Sequence, residues 1–209
     1  MKAHRTRLAD PTKILMRREL AAVLADLSRK AKRSPSTRLN LVIFRLATCC
    51  GLRASEIAKL QVGDVRTEAT RPHIRIRNGA AKGGRPRMVP LWWDAGTLDD
   101  LRAWKAERLD SGAESDAQFV SPLHIDKPFS RHTLRKRYRT ACRVLGAERL
   151  ETLTIHHGRH TFISHALAGG RTLAEVRDAA GHANVSITSA YLHVAVEDGE
   201  VGNLFGIVQ

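Results

Sequence analysis

The run "LNLVIFRLATCCGLRASEIAKL", residues 39–60, decides how this chain folds. Its first half is apolar on nearly every side, which predicts a helix buried all round, from about residue 37 to residue 50. Arg45 stands in its middle, and the run is too short and too charged to span a bilayer, so it reads as a core helix. Gly51 is placed to stop it, because glycine readily takes the left-handed conformation that ends helices. A second short helix is predicted over 54–60. The core is therefore expected to form around a central helix that ends in a tight turn carrying Arg53, with Glu56 one turn further on.

Around that run the chain is strongly basic. Its 209 residues hold 35 Lys plus Arg against 21 Asp plus Glu, a formal net charge of +14. Arg far outnumbers Lys, and the planar Arg fork fits phosphate oxygens, so the composition points to a polyanion: nucleic acid first, an anionic membrane second. A basic protein with no such partner is the plainer alternative. The length suits one domain with a real core. Cys49 and Cys50 are adjacent in the apolar run and Cys142 stands alone, with no CxxC or other metal spacing; this predicts reduced, buried thiols in a cytoplasmic protein. "MKAHRTRLADP" has no apolar stretch behind its charges, so no signal peptide is expected and no membrane partner.

Moving outward, residues 1–11 read as a flexible basic arm. Met16, Leu20, Val23, Leu24 and Leu27 recur at helical spacing, predicting a helix to about residue 30. After the central run, "DVRT", "HIRIR" and "RMVPL" predict three short antiparallel strands, the last two joined by the Gly-rich "NGAAKGGRP". A helix is predicted over 95–110 with Leu98, Leu101 and Leu109 on one side. Residues 130–145 predict an amphipathic helix, with Leu134, Tyr138, Ala141 and Leu145 on one side and Arg131, Arg135, Lys136, Arg139 and Arg143 on the other. Helices over 156–168, 172–179 and 186–193 complete the chain. The expected fold class is mainly α with a small antiparallel β-sheet, α+β.

Four features carry chemistry, and each has a plainer reading. Arg53 and Glu56 could be a surface i,i+3 pair worth about 0.2–0.5 kcal/mol, or Glu56 could hold the Arg53 fork for a phosphate. "LTIHHGRHTFISHAL" gathers His156, His157, Arg159, His160 and His165. A zinc site lacks a nearby carboxylate or Cys to complete it; His160 and His165 read as structural, and His156 with Arg159 reads as a pair beside a phosphate. Lys82 in the Gly-rich turn is either an exposed turn residue or a mobile proton donor. Tyr191, in "GHANVSITSAYLH", is either helix packing or a phenol nucleophile whose ionisation neighbouring cations make cheaper.

Taken together, "CGLRASE", the hairpin Lys, "HHGRH", "AAGH" and Tyr191 resemble, in order and spacing, the tyrosine recombinases of the phage-integrase family, over about residues 12–195. The resemblance implies the tyrosine recombinase catalytic-domain fold and a site-specific DNA recombinase. In it Arg53 and Arg159 clamp the scissile phosphate, and Tyr191 attacks to give a 3′-phosphotyrosine and a free 5′-hydroxyl. It also implies Lys82 as general acid, His156 assisting the tyrosine proton, His182 on the phosphate and Glu56 supporting Arg53. It implies double-stranded DNA as partner, a homotetramer on paired sites, accessory DNA-bending proteins, and no metal or other cofactor. Type IB topoisomerase-like relaxation and a DNA-binding relic are the alternatives. Gly158 departs from the family's usual Leu and is expected to loosen the turn that aims Arg159, while Ala180 gives a smaller anchor before Gly181. The basic side of 130–145 is expected on the DNA backbone unless it is simply a solvated face. Residues 196–209 are expected to be a tail that docks on a neighbouring protomer, with packing on its own domain or disorder as the plainer reading.

Overall fold

The central run folds as a buried helix, but in two pieces. The computed structural model describes residues 10–78 and 86–192. The basic arm, the turn with Lys82, and the tail over 196–209 therefore fall almost wholly outside the described residues. Helix α1 (Arg17–Ala31) turns Leu20, Val23 and Leu27 inward. The Ser34 hydroxyl then accepts the Thr37 N–H at 3.2 Å, and Pro35 fills the first turn of α2 (Pro35–Phe44), where no N–H is required. From Leu39 to Phe44 every side chain of α2 is buried. The helix then widens into a π-turn, Arg45–Cys49, before Gly51 stops it at φ +64°. Arg45 is buried in that turn and keeps its charge by pairing, donating to Asp100 at 2.7 Å and Asp94 at 3.1 Å. These pairs tie the central helix to α4 (Ala95–Asp110).

Arg53 leads into α3 (Ala54–Ile57), shorter than the helix expected over 54–60. The three predicted strands are present as β1 (Val65–Arg66), β2 (His73–Ile76) and β3 (Arg87–Pro90), antiparallel in the order β1-β2-β3. Val65 and Val89 both oppose Ile74, and Arg87 opposes Ile76. Val65, Ile74, Ile76 and Val89 are buried while Met88 is exposed, the alternation expected of a half-covered sheet.

On α4 the inward stripe is Leu101, Trp104 and Arg108, at i, i+3 and i+7; Leu109 falls off that stripe and is exposed, contrary to the sequence reading. Helix α5 (Arg131–Ala141) buries Leu134, Tyr138 and Ala141, and ends before the 145 expected of it. A 3-10 turn (Arg143–Leu145) and an unanticipated α6 (Ala147–Thr152) follow. The chain closes with α7 (Ile155–Ala168), α8 (Leu173–Ala180) and α9 (Val185–Ser189). The segment before α1 straps across α7: Leu15 donates its N–H to the Thr161 hydroxyl at 2.9 Å, and His165 Nε2 donates to the Leu15 carbonyl at 2.7 Å. His165 is thus a structural histidine, as its place in the sequence suggested.

Two apolar clusters result. The larger joins α1, α2, the sheet, α4 and α5. The smaller packs Cys49, Trp93, Phe162, Val176 and Ala179 around the ring of Tyr191. Cys49, Cys50 and Cys142 are free and buried. Among the described residues no helix is long and apolar enough to cross a membrane.

Candidate active site

Glu56 is the buried anchor of the site. Its side chain is fully enclosed, and its carboxylate accepts four bonds. Arg53 gives its backbone N–H at 2.8 Å and Nη1 at 3.0 Å; Arg87 gives Nη1 at 2.8 Å and Nη2 at 2.9 Å. Burial alone would raise the Glu56 pKa, but the Arg87 hydrogen bonds and charge, helped by Arg53, hold it below the usual carboxylate value. The Arg53–Glu56 pair is therefore no surface ornament: a backbone bond and a shared carboxylate fix the base of the Arg53 side chain at the start of α3.

Arg159 enters from the second turn of α7. Its Nη1 donates to the Gly51 carbonyl at 2.7 Å, and its Nη2 donates to the Ala180 carbonyl. A guanidinium has five N–H bonds to give, so the fork is held by backbone with donors to spare. Gly158, next to it, is neither a turn residue nor a loosening element. It lies inside α7, where a Cβ would come within 3.0 Å of the Ala47 carbonyl and 2.8 Å of the Thr48 hydroxyl. The missing side chain lets α7 lie directly on the π-turn, which fixes rather than relaxes the aim of Arg159. Ala180 serves through its carbonyl, so a small side chain there leaves the anchor intact.

Tyr191 is buried, its ring in the smaller cluster and its hydroxyl 2.5 Å from His160 Nδ1. His160, read from sequence as structural, is thus the imidazole that meets the tyrosine, in the place expected of His156. His156 is exposed, with its pKa lowered by burial of part of the ring and then by Arg135, Arg159 and Arg53. His182 follows Gly181, which takes φ +68° to end α8, and its Nδ1 pairs with the buried Thr188 hydroxyl at 2.9 Å.

The electrostatics describe a cationic centre with one carboxylate. Burial, then the charge of Arg53, pushes the Arg159 pKa down to about 9. Burial, then Arg159, Arg53 and Arg87, pushes His182 down to about 3. Burial, then the neighbouring His157 and His156, pushes His160 down to about 4. The cations were expected to ease ionisation of Tyr191, yet its pKa is raised, because burial outweighs the attraction of Arg159. An arriving phosphate would relieve this mutual repulsion.

Arg53, Glu56 and His182 lie within electrostatic reach of Arg159, as does Tyr191; His156 is near Arg159 and Arg53, while His160 is the imidazole on Tyr191, and Lys82 lies outside the described residues. Arg131, Arg135, Lys136, Arg139 and Arg143 are all exposed. All but Arg131 line a cavity of about 760 Å³ with His132, and His156 stands at that cavity's edge; Glu151 is the one acid on its wall. Among the described residues no three His, Cys, Asp or Glu are grouped to hold a metal ion. Arg87, His160 and Thr188 went unforeseen. Arg87 had a signal: in "RMVPL" it shares a face with Val89, so a buried Val89 implies an inward Arg87.

The chain is similar to known proteins in sequence and in fold. The family model described as "Phage integrase family" matches residues 15–198. A tyrosine recombinase XerC of Corynebacterium efficiens is 33% identical over 158 residues, 76% of this chain and 47% of that protein. A XerC of Chromobacterium violaceum is 36% identical over 149 residues, 71% of this chain and 46% of that protein. The chain thus spans about half the length of these curated relatives. In fold it is similar to the crystal structure of XerA recombinase, with TM-score 0.68 and 22% identity, covering 86% of this chain and 60% of that one. It is equally similar to XerH site-specific recombinase bound to difH substrate in a pre-cleavage complex, with TM-score 0.68 and 22% identity, covering 90% of this chain and 51% of that one. With the family model matched over residues 15–198 and with relatives at 33% and 36% identity, the chain belongs to the phage integrase family of tyrosine recombinases.

Proposed function

We propose that this chain is the catalytic part of a site-specific DNA recombinase that cleaves and rejoins duplex DNA through Tyr191. The observation that carries the reading is that Arg159 lies within electrostatic reach of Arg53, His182 and Tyr191, with the Tyr191 hydroxyl held against His160. Arg53 and Arg159 bind the non-bridging oxygens of the scissile phosphate and stabilise the charge that grows there in the transition state. The Tyr191 oxygen attacks phosphorus as the bond to the 5′-oxygen breaks, leaving a 3′-phosphotyrosine. His160 Nδ1 takes the phenolic proton, being neutral at pH 7 and already in contact. His182, kept neutral and oriented by Thr188, donates to a phosphate oxygen. His156 stands on the phosphate side with the two arginines. The 5′-oxygen leaves with a proton, a task that the family resemblance gives to Lys82. Religation is the reverse, so no outside energy is needed.

The cavity along α5 leads the DNA backbone to this centre: its Arg135, Lys136, Arg139 and Arg143 are mobile-ended cations facing one groove. Val185, Ile187 and Leu192 leave apolar surface exposed around the nucleophile, which suits burial between protomers and supports a homotetramer on paired sites. Accessory DNA-bending proteins and a place on the nucleoid would follow from that assembly.

The test is a library of duplexes with a randomised core and one nick, from which the short 5′-hydroxyl fragment diffuses after cleavage. A covalent complex that survives denaturation, disappears in Tyr191→Phe and returns one consensus sequence is the expected result. Trapping on any sequence, with relaxation of supercoiled plasmid, would instead make the chain a relaxing enzyme. No Tyr191-dependent complex at all would make it a DNA-binding relic.

A further inference from the structure

Arg87 has so far been given no part in the reaction, yet it is among the most constrained cations of the centre. Its side chain is 7% exposed. Its Nη1 and Nη2 grip both Glu56 oxygens at 2.8 and 2.9 Å, and its Nε donates to the Ala179 carbonyl at 2.9 Å. The next carbonyl, that of Ala180, belongs to Arg159. The end of α8 is thus held by two guanidiniums on the carbonyls of consecutive residues, with only Gly181 between them and His182. Gly181 is shaped to this: its φ is +68°, and a Cβ would meet Arg87 Cδ at 2.8 Å. Arg87 also opens strand β3, opposite Ile76 at the last pair before the β2–β3 connection, so it ties that end of the sheet to the centre.

The chemistry of the shared carboxylate gives this grip a purpose. Glu56 carries one negative charge and sits beside two arginines. Paired bidentately to Arg87, it needs only one nitrogen of Arg53. Without Arg87 the carboxylate would be buried and half-paired, a costly state, and the nearest remedy is to draw the whole Arg53 fork onto itself. A fork–fork pair with Glu56 would compete directly with a phosphate for the same N–H groups.

We propose that Arg87 is a positioning residue for the reaction: by satisfying Glu56 it keeps the Arg53 fork turned to the phosphate, and by holding the Ala179 carbonyl it sets His182. This rests on the recombinase reading above. Arg87 need not touch DNA; it acts through Arg53 and His182.

The test uses the consensus duplex recovered above in single-turnover cleavage, with either a phosphate or an uncharged methylphosphonate at the scissile position. Arg87→Met is expected to slow cleavage of the phosphate at least ~100-fold, with duplex affinity within ~3-fold of wild type. On the methylphosphonate, which asks less of Arg53, the defect should shrink to below ~10-fold. Glu56→Gln combined with Arg87→Met should cleave at least ~10-fold faster than Arg87→Met alone, because no orphaned carboxylate remains. Should Arg87→Met fail to fold, Arg87→Lys decides: it keeps the charge, loses the fork, and should be ~10-fold slower at an unchanged melting temperature. The inference is overturned if the Arg87 variants cleave like wild type, if phosphate and methylphosphonate suffer equally, or if the double variant gains nothing. Wild type that forms no Tyr191-dependent complex removes the recombinase reading and this inference together; wild type that cleaves no faster than Arg87→Met removes this inference alone.

Discussion

His160 Nδ1 and the Tyr191 hydroxyl stand 2.5 Å apart, their rings stacked with centroids 5.7 Å from each other. The neighbour of Arg159 on the same helix is therefore the group best placed to receive the phenolic proton. His160→Ala should slow single-turnover cleavage about 100-fold or more, the usual worth of a positioned base. His156→Ala should cost less at that step. A result with the two reversed would return the proton to His156.

A second expectation concerns acid. His165 is 1% exposed, and burial pushes its pKa down to about 4 from an ordinary value of 6.5. The folded state then binds fewer protons than the unfolded chain between those values, so stability falls as pH drops below 6.5 toward 4. Each unit in that window costs about 1.4 kcal/mol for this one group. Between pH 7 and pH 5, urea unfolding should show wild type losing about 2 kcal/mol more than His165→Gln, which keeps a donor for the Leu15 carbonyl without titrating. Equal losses would mean that His165 does not set the acid limit.

Gly158 makes a prediction against the family habit. Placing the usual Leu there should destabilise the fold by about 1–3 kcal/mol, because α7 must lift off the Ala47 carbonyl. Ala restores up to ~1 kcal/mol of helix propensity but meets the same carbonyl. Both variants should also cut covalent-complex formation, since Arg159 moves with the helix. A Leu variant as stable and active as wild type would show that the π-turn yields without cost.

Along α5, Arg135→Gln and Arg139→Gln should each weaken duplex binding at low salt and reduce the slope of log affinity against log salt by about one. The loss should be similar on all sequences, as befits backbone contacts. An unchanged slope would leave that face to solvent.

The sequence was most informative where one residue's side chain had to meet a strict local rule. The alternation in "HIRIR" and "RMVPL", the stop at Gly51, and the apolar spacing of α1 and α5 are short-range signals, and the strands and helices stand where those signals put them. The π-turn left no such trace, because it answers to a neighbour, α7, that packs on it from far along the chain. The same holds for the site. Arg53, Arg159, His182 and Tyr191 sit in motifs that can be read one at a time. Arg87 becomes visible only once β3 is set beside Glu56 and the end of α8, and His160 only once α9 brings Tyr191 back over α7.

Arg159 takes one anchor from Gly51 and the other from Ala180, at the end of α8. The grip on Arg159 joins the turn that ends the central helix to the turn that ends α8, so a shift of either one re-aims the fork.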